Sequence, residues 1–384
     1  MDIDIGVVIH GPGIVDSGYA EKILDILREF SEICNIDIRV TAKVGGNMGR
    51  VAVIDRKLED IIDISERLYP SQCLKRLKDK DILFLLNYGK SKETGHTFGR
   101  IVVERAELDK PVIQIERPGE DDGSVLVWNR ERCSGNIKKI LDTLVSYISE
   151  RLGLKVEECI GSRLSVWEEE GRVFRRIDTV DPGESILVNG IIVGKALGSP
   201  VVLISERGKI VEIINGEIKK DGVERLGSVD LKNAIVKTGV LRKGSFKNLK
   251  ITENCRSTLN DSLGDVLIVD RGERDVLREL RNRNISTVIT IGSDTTLILG
   301  NVLGRFNVKV VGIVDEDIYR YKVVEDLKVT EGSRIFLLKN CECYQVGNLL
   351  MEHLKGKRLR YEDTLRYVSD LLEKHKVIYE ILNF

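Results

Sequence analysis

Two sets of residues in this chain have the types and spacing to do chemistry. The first is a series of three glycine-rich loops, each behind an apolar run. They are His10-Gly11-Pro12-Gly13-Ile14-Val15-Asp16-Ser17-Gly18, Gly45-Gly46-Asn47-Met48-Gly49-Arg50, and the stretch from Asn87 through Gly89-Lys90-Ser91 and Thr94-Gly95-His96 to Gly99-Arg100. Glycine lets a backbone approach a ligand closely and accept positive φ. A helix N-terminus behind such a loop can hold a phosphate or carboxylate. Gly11, Gly13, Asp16, Ser17, Gly49, Arg50, Asn87, Gly89, Lys90, Ser91 and Thr94 are therefore the expected ligand-binding residues. Lys90 would neutralise an anion, with Ser91 and Thr94 donating to it. His10 and His96 are two of only 4 histidines. They titrate near neutrality, which makes them the expected acid and base.

The second set is acidic. Asp315-Glu316-Asp317 follows the apolar run 308–314, and Asp294-Thr295-Thr296 follows the run 288–291 and Gly292. Asp270 and Glu273 follow another such run. Carboxylates at adjacent strand ends suit Mg²⁺, a hard ion that takes oxygen ligands. Asp294, Asp315 and Asp317 are the expected metal ligands, and Thr295 and Thr296 the hydroxyls beside them. The plainer reading is that such acids are caps, with Asp294 capping the helix behind it.

Two familiar phosphate-binding patterns do not fit. Gly11 and Gly13 open like a dinucleotide fingerprint, but the next glycine arrives late, at Gly18, and the second strand ends without its acidic residue. Gly89-Lys90-Ser91 resembles the end of a P-loop, but Phe84 stands where its first glycine is needed.

The elements that must position these groups alternate. Short apolar strands (5–9, 36–44, 81–86, 111–115) alternate with helical patterns such as 19–33 and 93–108, which predicts a doubly wound, Rossmann-like α/β domain over 1–135. An amphipathic linking helix follows over 136–155. Turn dipeptides then punctuate short β-type runs: Glu170-Gly171, Asn189-Gly190, Arg207-Gly208, Asn215-Gly216 and Asp221-Gly222. Such pairs are hairpin signals, so 156–250 reads as a small, mostly antiparallel β domain. A second α/β unit is expected over 260–345 and a helical tail over 346–384. The spacing places all three glycine loops at one sheet edge, where α/β proteins bind ligands.

Composition narrows the function classes. The chain has 384 residues, 42% of them hydrophobic, enough for two or three domains. Lys+Arg 60 nearly cancels Asp+Glu 61, so net charge gives no support to a chain-wide nucleic-acid footprint. The 7 cysteines are scattered without a CxxC pair, which argues against a zinc knuckle and suits a reducing compartment. Cys341-Glu342-Cys343 reads as two thiols on a strand. No secretory leader or membrane span is expected.

Several stretches resemble an uncharacterised archaeal family common in methanogens, the domain of unknown function 2117. They are the loop 10–18, Gly49-Arg50-Val51-Ala52-Val53-Ile54-Asp55, Asn87-Tyr88-Gly89-Lys90-Ser91, Glu93-Thr94-Gly95, Phe98-Gly99, Asp294-Thr295-Thr296 and the run 312–317. Tyr88 stands where that pattern has a histidine. The resemblance implies an archaeal cytoplasm and no defined activity. Residues 265–317 also resemble the Toprim layout of topoisomerases and primases, with Asp270 where a glutamate is usual. That likeness implies Mg²⁺-dependent phosphoryl chemistry on nucleic acid. The leading expectation is a protein that binds a nucleotide or phosphorylated small molecule with Mg²⁺. The alternatives are a Toprim-like protein and a non-catalytic ligand sensor or assembly protein.

Overall fold

The computed structural model describes residues 2–157, 166–178, 180–239, 262–270, 275–316, 318 and 327–384. Asp317 and Glu273, expected near the metal, lie outside the described residues. Among the described residues the fold is mixed α/β with four sheets. The chain divides into two units: Met1–Pro182 with Ala196–Glu217 and Gly227–Ile235, and Gly183–Lys195 with Ile218–Leu226 and Val236–Phe384.

The first unit opens with β1 (Asp2–His10), α1 (Gly13–Asp16), α2 (Tyr19–Cys34), β2 (Asp37–Gly45), α3 (Asn47–Arg56) and α4 (Pro70–Arg76). It continues with β3 (Ile82–Asn87), α5 (Lys92–Ala106), β4 (Val112–Glu116), β5 (Ser124–Trp128), α6 (Gly135–Leu152) and β6 (Lys155–Glu157). The sheet order is β2-β1-β3-β4-β5-β6. β2, β1, β3 and β4 run parallel, and β5 is antiparallel to β4. Val8, Leu83, Leu85 and Val112 pack against Leu74 of α4, Leu77 just after it, and Val102 and Ala106 of α5. Ile5, Val7 and Ile9 point the other way along β1 and are also fully buried, so both faces are covered. That is why the strands read as unbroken apolar runs. Phe30 of α2 and Tyr147 of α6 meet with ring centroids 5.4 Å apart.

The middle of the chain forms β7 (Val166–Glu169), β8 (Arg172–Ile177), β9 (Ser185–Val188), β10 (Ile191–Ala196), β11 (Val201–Glu206), β12 (Lys209–Ile214), β13 (Gly216–Ile218), α7 (Lys220–Leu226) and β14 (Val236–Thr238). Glu170-Gly171, Asn189-Gly190 and Arg207-Gly208 all have positive φ at both residues. Each closes a two-residue hairpin, as the dipeptides predict. The strands make two four-stranded sheets, β12-β11-β8-β7 and β13-β10-β9-β14. Asn215-Gly216 is not a hairpin but the passage from one sheet to the other. Asp221-Gly222 is not a turn at all: it lies inside α7. Gly222 is required there because a Cβ would stand 1.9 Å from the Ile192 carbonyl oxygen.

The second unit continues with β15 (Gly264–Val269), α8 (Val276–Asn282), β16 (Ile285–Ile291), α9 (Ser293–Leu303), β17 (Val310–Asp315), β18 (Arg334–Leu338), α10 (Cys343–Leu354), β19 (Arg358–Leu359), α11 (Tyr361–Lys374) and β20 (Tyr379–Asn383). Its sheet runs β19-β15-β16-β17-β18-β20. The four inner strands are parallel and the two edge strands antiparallel to them. The tail is therefore not only helical: β19 and β20 extend the sheet at its two ends. Val346, Leu350 and Leu354 of α10 and Tyr361, Val368 and Leu372 of α11 pack on Ile289, Val311 and Phe336. Leu297 of α9 joins Leu187, Ile192, Ile335 and Leu337 in a second cluster. Among the described residues, no helix is long and apolar enough to cross a membrane.

Candidate functional site

In the first unit, His10 is in register with Gly45, Ile9 with Leu86, and Asn87 with Glu116. The three glycine loops therefore leave the sheet at one edge, as their spacing predicts. Gly49 brings α3 against the first loop: a Cβ there would lie 2.7 Å from Val44 and 3.5 Å from the Gly11 backbone. Gly13 faces Tyr88: a Cβ there would lie 3.2 Å from the Tyr88 Cβ. The first and third loops are thus neighbours across the β1–β3 boundary.

Most expected ligand groups at this edge are engaged within the protein. Ser91 caps α5: its Oγ accepts from the Thr94 N–H at 3.3 Å, and Thr94 Oγ1 accepts from the Ser91 N–H at 3.1 Å. The hydroxyl of Ser17 donates to the Ile14 carbonyl at 3.2 Å. Arg50 is fully buried and its Nε donates to the Ile64 carbonyl at 2.9 Å. His96 is fully buried, its Nε2 2.8 Å from Ser124 Oγ. Burial, then the positive charge of Lys92, lowers its pKa. His10 stacks on Phe98 at 4.2 Å. Arg50 and His96 therefore do not line an open cleft with Lys90, which is exposed.

A buried carboxylate organises the third loop, and the sequence gives little sign of it. Glu116 accepts from Asn87 Nδ2 at 2.7 Å, from Gln114 Nε2 at 2.8 Å and from the Gly89 N–H at 2.7 Å. Burial outweighs these three donors and pushes its pKa up to about 7. Gly95 and Gly99 exist to admit this network: a Cβ would stand 2.1 Å from Glu116 and 1.7 Å from Gln114. Arg117 then clamps the loop from outside, donating to the Gly89 carbonyl at 2.6 Å and the Lys90 carbonyl at 2.9 Å. The available signal was Gln114 and Glu116 alternating on one face of an otherwise apolar strand.

At the corresponding edge of the second unit, the acids separate into two groups. Asp294 is buried and holds α7: its Oδ1 accepts from Arg225 Nη1 at 2.8 Å, and its Oδ2 from the Ile192 N–H at 3.3 Å. Burial opposes the Arg225 charge, but Asp294 outweighs it and the guanidinium pKa is raised. Arg225 Nη2 also donates to the Asp270 carbonyl at 2.9 Å and to Thr295 Oγ1 at 3.2 Å. The Thr296 and Thr290 hydroxyls pair at 2.8 Å. So Asp294, Thr295 and Thr296 fasten helices and strands together. The expectation that Asp294 joins Asp315 at one ion does not match this placement.

Asp315 instead meets two acids from distant segments. Asp221 of α7, Asp315 at the end of β17 and Glu342 just before α10 offer carboxylate oxygens within 4.8 Å of one another. Sequence reasoning singled out neither Asp221 nor Glu342 as a ligand. Asp221 was hidden in what reads as a turn dipeptide, and Glu342 between two cysteines. The acids line a cavity of about 770 Å³ that also presents Lys219, Lys220, Lys339 and Gln345. Lys219 is buried and pairs with Asp221. Lys339 Nζ is 3.3 Å from Glu316, and its pKa is raised as the carboxylates of Glu316 and Glu380 outweigh desolvation. Cys341 and Cys343 are not two thiols on a strand: they flank Glu342 at the start of α10. Burial, then the charge of Asp315, pushes both thiols' pKa values up. Protonated thiols of this kind support the carboxylates as neutral neighbours.

Comparison with known proteins gives lineage. The chain is 50% identical over 377 residues to the "Uncharacterized protein MJ0065" of Methanocaldococcus jannaschii, covering 98% of each. Among solved structures, the GsuK RCK domain matches with a TM-score of 0.17 and 10% identity over 91% of this chain and 77% of that one, an overlap too loose to show a shared fold. The profile of an uncharacterized protein conserved in archaea (DUF2117) matches residues 7–358, and the chain belongs to that family.

Proposed function

We propose that this protein binds a divalent cation, Mg²⁺ first among them, together with a nucleotide or other phosphorylated small molecule, at the carboxyl edge of the second unit's sheet. In this reading both parallel sheets are Rossmann-like and doubly wound, and the protein works in the cytoplasm. The observation that carries the proposal is one cavity holding Asp221, Asp315 and Glu342 within 4.8 Å of one another and lined also by Lys219, Lys220 and Lys339. Clustered carboxylates repel one another, and a hard dication relieves that repulsion. The lysines then supply charge for phosphate oxygens that the cation leaves uncovered. A Toprim-like role is the weaker reading. That layout needs an acid after the first strand, and here the acids beside Asp315 come from α7 and the loop before α10. Asp270 contributes its backbone carbonyl to Arg225.

Calorimetric titration with Mg²⁺, alone and with nucleoside mono-, di- and triphosphates, tests the proposal. Wild type should bind the cation, and binding should tighten with a phosphorylated ligand. Asp315→Asn should weaken Mg²⁺ by about tenfold or more, equivalent to about 1.4 kcal/mol. Equal affinity in both proteins, or no uptake by wild type with any nucleotide, ends the proposal.

A further inference from the structure

The first unit holds a buried acid whose surroundings suit only one of its two protonation states. Glu116, the last residue of β4, is fully buried. Its Oε2 accepts from Asn87 Nδ2 at 2.7 Å and from Gln114 Nε2 at 2.8 Å, and its Oε1 accepts from the Gly89 N–H at 2.7 Å. Among the described residues, every hydrogen-bond partner of the carboxyl is thus a donor. Gln114 cannot turn its amide round to change this. Its Oε1 accepts from the indole Nε1 of Trp128 at 3.0 Å, and its Nε2 also donates to the Gly95 carbonyl at 3.0 Å. An indole N–H only donates, so Gln114 must present its NH₂ to Glu116. The loop lies directly on the carboxyl: a Cβ at Gly89 would stand 3.0 Å from Glu116 Oε1 and 3.1 Å from the Gly95 backbone.

An ionised carboxylate satisfies all three donors. A neutral carboxyl does not, because its O–H is a further donor that needs an acceptor. Oε2 carries two bonds and Oε1 one, so the proton costs least on Oε1, and what it displaces there is the Gly89 N–H. Burial favours this neutral form and pushes the Glu116 pKa up to about 7. The charged group that acts on the carboxyl is Arg117, which favours the ionised form. Arg117 is itself shared with Asp122 at 2.9 Å and with the Gly89 and Lys90 carbonyls. On α5, Lys92 is paired with Glu157, Glu93 is exposed, and His96 is turned to Ser124. Glu120 takes the Tyr88 hydroxyl. β3 and β5 place neutral Asn87 and Ser124 beside the carboxyl, both in register with Glu116.

We propose that Glu116 is a proton-operated latch on the third glycine loop: as a carboxylate it fastens the Gly89 N–H, and when it takes a proton it lets the segment 88–90 go. The released loop keeps only the grip of Arg117 on its two carbonyls. Tyr88 and Lys90, on either side of Gly89, then move at the edge where the three glycine loops leave the sheet. The local effect runs opposite to the global one. Acid relieves a buried charge and so stabilises the native chain, yet it loosens this one loop.

The test is amide hydrogen exchange at Gly89 in the full chain labelled at glycine, read by NMR and corrected for intrinsic exchange at each pH. Wild type should lose about tenfold or more of its protection between about pH 8.5 and about pH 5.5, while its unfolding midpoint rises. Glu116→Gln, neutral at every pH, should show the weak protection throughout. His96→Gln should keep the wild-type response, which separates the latch from the His96 imidazole. Where Glu116→Gln does not fold, the Gly89 amide proton shift of wild type decides: it should move upfield as acid removes its carboxylate acceptor. Equal Gly89 protection at both pH values overturns the proposal, because Asn87 would then be turning its amide to accept the proton while the loop stays fastened. Protection that rises together with the unfolding midpoint, a response that persists in Glu116→Gln, or one that disappears in His96→Gln also overturns it.

Discussion

At the carboxyl edge of the first unit's sheet, polar side chains are tied to one another. At the same edge of the second unit's sheet, three carboxylates and three lysines line a cavity of about 770 Å³. The first edge has the more suggestive sequence, with its glycine loops, its Gly-Lys-Ser and its histidines. Yet Ser91 and Thr94 cap a helix, Asn87 holds Glu116, His96 holds Ser124 and Arg50 holds the Ile64 carbonyl. The second edge draws on positions 221, 315 and 342, which no local pattern links. Residue type within a loop therefore reports backbone needs as readily as ligand needs. Which groups remain available is decided by tertiary neighbours.

The largest effect should come from the clamp that assembles the second site. Arg225 and Asp294 are 13% and 3% exposed at the side chain and 2.8 Å apart. Arg225→Met leaves Asp294 buried without its counter-charge, which costs about 3–5 kcal/mol. It also frees α7, and with it Asp221, from Asp294. Denaturant unfolding should show the loss, and any Mg²⁺ uptake should weaken along with it. A stability change under about 1 kcal/mol would mean that the pair does not hold α7 as described.

Parts of both regions were readable from the sequence, for identifiable physical reasons. Buried parallel strands must be apolar on both sides, so 82–86 and 288–291 declared themselves. Two-residue hairpins need positive φ twice, so Asn189-Gly190 and Arg207-Gly208 did as well. The resemblance to the archaeal family also held over most of the chain. Asp221-Gly222 misled because the same glycine that permits a turn also permits a helix to press on the Ile192 carbonyl. β20 was missed because Tyr379–Asn383 is an edge strand whose Glu380 and Ile381 are exposed, so it shows no buried alternation. Glu116 was missed because its partners, Asn87, Gly89 and Gln114, are set by the β3–β4 register rather than by spacing.

The first edge should reveal its buried carboxylate through pH. The Glu116 pKa rises from 4.5 to about 7 in the folded chain. A raised carboxyl favours the protonated native state. Its contribution is therefore fully present below about pH 4.5 and is lost as pH rises through about 7. The span corresponds to about 3 kcal/mol. Unfolding midpoints from pH 4.5 to 8 should show that fall in wild type, and it should flatten in Glu116→Gln. The same slope in both proteins would assign the pH dependence to other groups and leave Glu116 a permanently ionised acceptor.

The smallest expected effect is at Lys90, and it bears most directly on the comparison between the two edges. Lys90 has the residue type most suggestive of phosphate in the whole sequence, yet its side chain is exposed and its carbonyl, not its ammonium, is what Arg117 holds. The loop is fixed by Glu116 on the Gly89 N–H and by Arg117 on two carbonyls, and none of these contacts uses the Lys90 side chain. Lys90→Ala should therefore leave the loop's backbone ties in place and change stability by no more than about 1 kcal/mol, as for an exposed side chain. If the second unit holds the phosphorylated ligand, nucleotide affinity in the presence of Mg²⁺ should also be unchanged. A tenfold loss of affinity in Lys90→Ala, with Asp315→Asn unaffected, would reverse the assignment. The glycine loops would then be the ligand site, and the acidic cavity a by-product of how α7 and α10 pack.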